Sequence, residues 1–171
     1  MAKKISLKSS KLAIRRIVQQ DHDALKNVYV ESIEFQGSGL YSTQQIQAWS
    51  SKALLPNAFK NIFDEGSGWL SLEDQDIASF AFRYPNNRLA LLYTLNKYSR
   101  RGHATKLLRQ IELDAFNDGQ ECLVTEASLL SQPLLLKLGW QTVSSEKIMI
   151  AGIYFQRFRM RKLIIPLKPR S

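Results

Sequence analysis

A chain of 171 residues with 44% apolar content supports one domain with a sizeable core. Its single cysteine, Cys122, excludes an internal disulfide, and with only two histidines the common zinc patterns are excluded as well. The net charge of +9 is concentrated at the ends. Residues 1–16 and 157–171 each hold six Lys/Arg and no acid, and the 140 residues between them carry 12 basic against 15 acidic groups. That distribution argues against a nucleic-acid partner, which calls for a basic stripe on a recognition element.

No apolar run is long enough to span a bilayer, and the first ten residues lack the apolar core of a secretory signal, so a cytoplasmic protein without a membrane partner is expected. Residues 1–10 read as a flexible basic tail, 11–165 as a single domain, and 166–171 as a second basic tail.

Residues 12–18 form a β-branched run and read as a first strand. Asp21 is placed to cap a helix whose apolar face is Leu25, Val28, Tyr29 and Ile33. That helix runs out in the loop signal of residues 36–39. Ser42 or Thr43 caps a second helix anchored by Ile46 and Trp49. A short helical turn at residues 57–64 follows Pro56.

Three strands follow, at residues 69–72, 77–84 and 88–95, joined by tight turns, and predict an antiparallel meander. Next is a basic turn, Tyr98-Ser99-Arg100-Arg101-Gly102-His103-Ala104-Thr105, leading into an amphipathic helix at 105–117. A strand, a glycine-bearing turn and a helix start aim backbone N–H groups and a helix dipole at one spot, which suits a phosphate. Residues 121–125 read as a strand reached by this helix crossover and parallel to its predecessor. A short helix opens at Pro133, and Gly139 ends it. Two strands close the chain, the first kinked at Ser144-Ser145. In the second, Tyr154, Phe158 and Met160 alternate with Arg157, Arg159 and Arg161, predicting one buried face and one cationic ridge.

The order is strand, two helices, three strands, helix, strand, helix, two strands: an α+β fold with a mixed, mostly antiparallel central sheet flanked by helices. From about residue 13 to 163 this order resembles the GNAT superfamily of N-acetyltransferases. The family's pyrophosphate loop runs Gln or Arg, two residues, Gly, one residue, then Gly or Ala. Ser99-Arg100-Arg101-Gly102-His103-Ala104 matches at the glycine and the final alanine, with Ser99 in the leading place. Tyr41 to Trp49, Leu92-Tyr93-Thr94-Leu95, and the run from Thr125-Glu126-Ala127-Ser128 through Pro133 to Leu138-Gly139-Trp140 are similar to segments of a bacterial acetyltransferase subfamily.

The resemblance implies acetyl-CoA as acyl donor and a primary amine, on a small molecule or peptide, as acceptor, with no metal. It implies that backbone groups of Tyr93, Thr94 and Leu95 pair with the pantetheine arm. Arg100, Arg101, Gly102, His103, Ala104 and Thr105 would hold the pyrophosphate, with Ser128 beside them. His103 itself is expected to be exposed at the helix start.

In the family a tyrosine serves as acid and a strand carboxylate as base; the tyrosine position here is Leu135 and the carboxylate position falls near Ala90, and neither side chain moves a proton. Glu126 and Tyr93 are the replacement catalytic candidates, and Glu31, Glu34, Tyr41 and Tyr84 the candidates for the acceptor pocket. The slightly acidic body suggests a cationic acceptor. The alternative is a catalytically degenerate acyl-CoA-binding or sensor domain of the same fold. Exposed C-terminal strands would allow a homodimer.

Overall fold

The computed structural model describes residues 12–164, so the two expected basic tails lie outside the described residues. The elements are β1 (Ala13–Arg16), α1 (His22–Gln36), α2 (Thr43–Ser50), α3 (Lys60–Glu65), β2 (Ser67–Glu73), β3 (Asp76–Arg83), β4 (Leu89–Thr94), α4 (His103–Asn117), β5 (Cys122–Ala127), α5 (Gln132–Lys137), β6 (Gln141–Ile150) and β7 (Ile153–Leu163). None of the described helices is long and apolar enough to cross a membrane.

The strands form two antiparallel blocks, one ordered β1-β2-β3-β4 and the other β5-β7-β6. The blocks meet at one parallel bridge, Arg88 with Val124. There the Val124 N–H donates to the Asn87 carbonyl at 2.9 Å, and the Thr125 hydroxyl donates to the Leu89 carbonyl at 2.8 Å. Past this point β4 and β5 part.

Two apolar layers fix the arrangement. α1 lays Leu25, Val28, Tyr29 and Ile33 over Leu70, Phe80, Phe82 and Leu91. α4 lays Leu107, Leu108, Ile111 and Ala115 over Ala81, Leu89, Leu123 and Met160 on the other face. These are the faces that helical spacing requires. A third cluster, around Tyr41, Ala48 and Phe155, seats α2 on the β6–β7 hairpin.

Local chemistry explains the helix starts. Ser42, rather than Thr43, caps α2: the Gln45 N–H donates to the Ser42 hydroxyl at 3.1 Å and the Ser42 N–H to Gln45 Oε1 at 2.9 Å. Asp21 stands where expected but caps the short 3-10 turn Gln19–Asp21 instead of α1. Its carboxylate accepts the Val18 N–H at 2.9 Å and a two-pronged bond from Arg15 at 2.7 and 2.8 Å.

Three expectations about the C-terminal strands are corrected. β6 is continuous through Ser144-Ser145, and a bulge between Thr142 and Ser144 absorbs the irregularity. Tyr154 is 63% exposed and Phe155 takes the buried place, because the strand's inward side changes along its twisted length. Arg157 and Arg159 are not an open ridge, since both close on Glu146. β7 lies between β5 and β6, which leaves β6 outermost.

The Arg15 pair, ahead of the opposing effect of burial, holds the Asp21 carboxyl below the usual range. A carboxyl depressed in the folded state adds stability above its unfolded value, about 3.9. That contribution is lost as pH falls through the folded value. Asp21→Asn should therefore lower the unfolding free energy by about 1–2 kcal/mol at pH 7. In urea titrations the gap to wild type should narrow as the pH falls below about 4; a gap independent of pH would contradict the ion pair.

Candidate active site

The parting of β4 from β5 leaves backbone groups without a strand partner. Strand alternation decides which ones. The Leu95 N–H donates to the Ala78 carbonyl at 2.8 Å, so residue 95 and, two before it, residue 93 address β3. The Tyr93 carbonyl also accepts the Ser79 hydroxyl at 2.8 Å, and the Leu95 carbonyl accepts the Tyr98 N–H at 3.0 Å. Leu92 and Thr94 therefore present their backbone to the gap. Of the expected set of Tyr93, Thr94 and Leu95, only Thr94 turns its backbone to the gap, and Leu92 does so as well. Gln36, the last residue of α1, donates its side-chain amide to the Thr94 carbonyl.

The gap runs to the start of α4, with Gln36, Leu92, Thr94, Ala104, Ser128 and Ser131 on its walls. α4 begins at His103, two residues before the expected Thr105. Its cap residue is Gly102, at φ +89°, and no side chain caps the first turn. The Lys106 N–H bonds back to the Gly102 carbonyl at 3.0 Å, so the N–H groups of His103, Ala104 and Thr105 precede the helix ladder. A Cβ built on Gly102 would meet nothing within 4 Å. Open space, uncapped donors and the positive end of a 15-residue helix make a fitting cradle for a phosphate. Arg100, exposed and itself left-handed at φ +61°, adds a cation beside it.

The neighbouring side chains differ from expectation. His103 is only 1% exposed. Its Nε2 lies 2.7 Å from Glu73 Oε2 and its Nδ1 2.9 Å from the Ser71 hydroxyl. Burial in this tie means that His103 offers a ligand only its backbone N–H. Ser, His and Glu in a row suggest a nucleophilic triad, but Ser71 is fully buried and no substrate can reach it. Arg101 donates to Glu73 Oε1 at 2.7 Å and lies 5.7 Å from the Tyr98 ring centre, so this cation is partly committed to the fold. The loop is thereby clamped to β2.

The other half of the gap is lined by Trp49, Ala90, Tyr93, Glu126, Ser131 and Leu135. Tyr93 packs against Tyr29, with ring centres 4.6 Å apart, and against Phe80 at 5.8 Å. Burial, the leading cause, pushes its phenol well above the usual range, so it remains a hydrogen-bond donor. Glu126 reaches this recess, where its Oε2 takes Arg88 Nε at 2.8 Å and Arg88 Nη2 at 2.7 Å. Ser128 and Ser131 line both halves and cap each other: Ser128 N–H to Ser131 Oγ at 3.0 Å, Ser131 N–H to Ser128 Oγ at 3.2 Å.

Not every acceptor-pocket candidate arrives. Tyr41 packs on Trp49 and Phe155 and accepts the Leu129 N–H at 2.9 Å, tying the α1–α2 loop to the β5–α5 loop. Burial raises its pKa. Glu31 and Glu34 lie on the exposed face of α1, and Tyr84 bonds to Glu65 at 3.1 Å, so none of the three lines the recess. Gln36, Arg88, Leu92 and Ser131 also stand at the site, where the sequence pattern does not mark them as site residues. A serine two residues before Pro133, at a helix start, was the one visible signal among them.

His103→Leu should lower the unfolding free energy by about 2–4 kcal/mol, because it removes a donor from a buried carboxylate. Urea denaturation measures this; an exposed histidine would cost less than about 0.5 kcal/mol.

Residues 38–162 match the family model for the acetyltransferase (GNAT) domain. The uncharacterized N-acetyltransferase YafP of Escherichia coli K12 is 25% identical over 150 residues, covering 88% of this chain and 95% of that protein. A GCN5-related N-acetyltransferase from Rhodopseudomonas palustris has the same fold, with a TM-score of 0.85 at 23% identity over 90% of this chain and 96% of that one. PaiA N-acetyltransferase from Thermoplasma acidophilum, solved in complex with coenzyme A, superposes with a TM-score of 0.69 at 18% identity, over 90% of this chain and 99% of that one. With the domain match spanning most of its length, the chain belongs to the GNAT acetyltransferase family.

Proposed function

We propose that the protein transfers the acetyl group of acetyl-CoA to a primary amine. The observation that carries this reading is the open β4 edge running from an uncapped, glycine-led helix start to a recess holding a carboxylate. Family membership and the coenzyme A complex of the Thermoplasma relative support it. Leu92 and Thr94 would hold the donor's amide-bearing arm. The N–H groups of His103, Ala104 and Thr105, with Arg100, would hold its phosphates. Bound there, the donor supplies an acetyl thioester.

The chain's own groups then orient and deprotonate the acceptor. Trp49 and Tyr93 wall the recess. Glu126 accepts the proton that an ammonium must lose before attack, with Arg88 fixing the carboxylate's orientation. Ser128 and Ser131 stand where the two halves meet and offer hydroxyls to the departing sulfur. Close positioning supplies the remainder of the rate.

A second reading, binding without turnover, is favoured by one observation. Leu135 and Ala90 line the recess at the positions where the family resemblance places an acid and a base.

Thermal unfolding with and without acetyl-CoA, followed by thiol release over a panel of amines, separates the readings. Ligand at a hundred times its dissociation constant should stabilise the fold by about 2.7 kcal/mol. No shift would overturn both readings; a shift without thiol release would favour the second. Glu126→Gln should lower kcat/KM by about 100-fold or more, mainly through kcat.

A further inference from the structure

The end of the recess away from α4 carries charge that the donor does not need. Arg88, just before β4, closes on Glu126 of β5. In the β5–β7 register Glu126 stands opposite Arg159, and in the β6–β7 register Glu146 stands opposite Arg157. Arg157 and Arg159, two residues apart, share a face of the sheet and both bond to Glu146. Lys52 lies in the 3-10 turn Ser51–Leu54, three residues after Trp49, which lines the recess. Among the described residues no carboxylate pairs with Lys52. Its ammonium is held below the usual lysine range, first by burial and then by the guanidinium groups of Arg157 and Arg88. α2, which leads into this turn, packs through Ala48 on Phe155 of β7, two residues before Arg157.

The charges do not balance. Lys52, Arg88, Arg157 and Arg159 share two carboxylates, Glu126 and Glu146. Like charges gathered at one place, two of them partly buried and two exposed, repel, and a guest of opposite sign relieves the repulsion. A polyamine or a lysine-rich peptide would deepen it.

Resting on the acetyltransferase reading above, we infer that the acceptor is an amine bearing an anionic group, carboxylate or phosphate, which docks against Lys52, Arg88 and Arg157 while its amino group lies toward Glu126. This reverses the cationic acceptor suggested by the slightly acidic middle of the sequence. The middle is acidic in total, yet two of its basic groups, Lys52 and Arg88, stand near Arg157 and Arg159 of β7. A free α- or ω-amino acid has the required pairing of charges, as does a phosphorylated amino alcohol.

Matched probes test this. Each amino acid is compared with its amide, and O-phosphoethanolamine with ethanolamine, so that only the anionic group changes. Acetyl transfer is read as kcat/KM. Binding is read separately by calorimetry on the protein saturated with CoA, which needs no turnover. At least one anionic probe should be favoured tenfold or more over its neutral counterpart, and whether carboxylate or phosphate leads identifies the group. Lys52→Glu should cut that preference at least tenfold through KM, with circular dichroism controlling for folding. Lys52→Met should give an intermediate loss.

Equal use of neutral or cationic amines, or a preference unmoved by Lys52→Glu, would overturn the inference and leave the acetyltransferase reading standing. Binding of no anionic probe to the CoA-loaded protein would overturn it too. Failure to bind acetyl-CoA at all would remove the parent reading instead.

Discussion

The structure turns on one interrupted strand pairing. β4 and β5 share a single bridge at Arg88 and Val124, then separate, and the backbone groups of Leu92 and Thr94 turn to the gap without a strand partner. In most sheets an interior break of this kind is avoided, because unpaired N–H and C=O groups away from water are costly. Here the break is held open by what lies on either side of it. α1 packs on one face of the first block, α4 bridges both blocks on the other, and neither can move without giving up a cluster of fully buried side chains. The gap is thus a property of the core, and the open edge, the helix start and the carboxylate recess follow from it.

The loop that opens α4 shows how rigidity is supplied to a segment with little packing of its own. Arg100 and Gly102 both have positive φ, a conformation that costs a non-glycine residue of order 1 kcal/mol. What holds them is the buried tie of His103 to Glu73 and Ser71, with Arg101 on the second oxygen of Glu73 and Tyr98 bonded to Asp76 at 2.8 Å. Side chains that look ready to meet a ligand instead face backward into the sheet. Their work is to aim the backbone.

Much of the fold was legible in the sequence, since helical and strand periods left clear traces in α1, α4 and the meander. The exceptions have physical reasons. Strand boundaries hide the parity of a backbone: whether residue 93 or 94 faces a gap depends on the bond from Leu95 to Ala78, and no local pattern shows it. His103 reads as exposed because its partners lie 30 and 32 residues earlier in the chain, on β2. Glu126 was visible as a carboxylate at a strand end, but the Arg88 that holds it is 38 residues away. The C-terminal strands read as exposed and free to pair, yet the order β5-β7-β6 places the last strand inside the sheet. A charge total likewise says nothing of how charges gather in space.

The hydrogen bond from Gln36 to the Thr94 carbonyl has a consequence for solubility. An uncovered strand edge is a template on which a second polypeptide can lay a strand, the first step toward aggregation. Here a side chain occupies the exposed acceptor, and α1, α4 and α5 crowd the approach with Gln36, Ala104 and Leu134. A polypeptide carries side chains on alternate faces and needs width; a slender amide chain does not. The edge is therefore narrowed by its neighbours, better suited to a thin guest that can share one carbonyl than to a second strand.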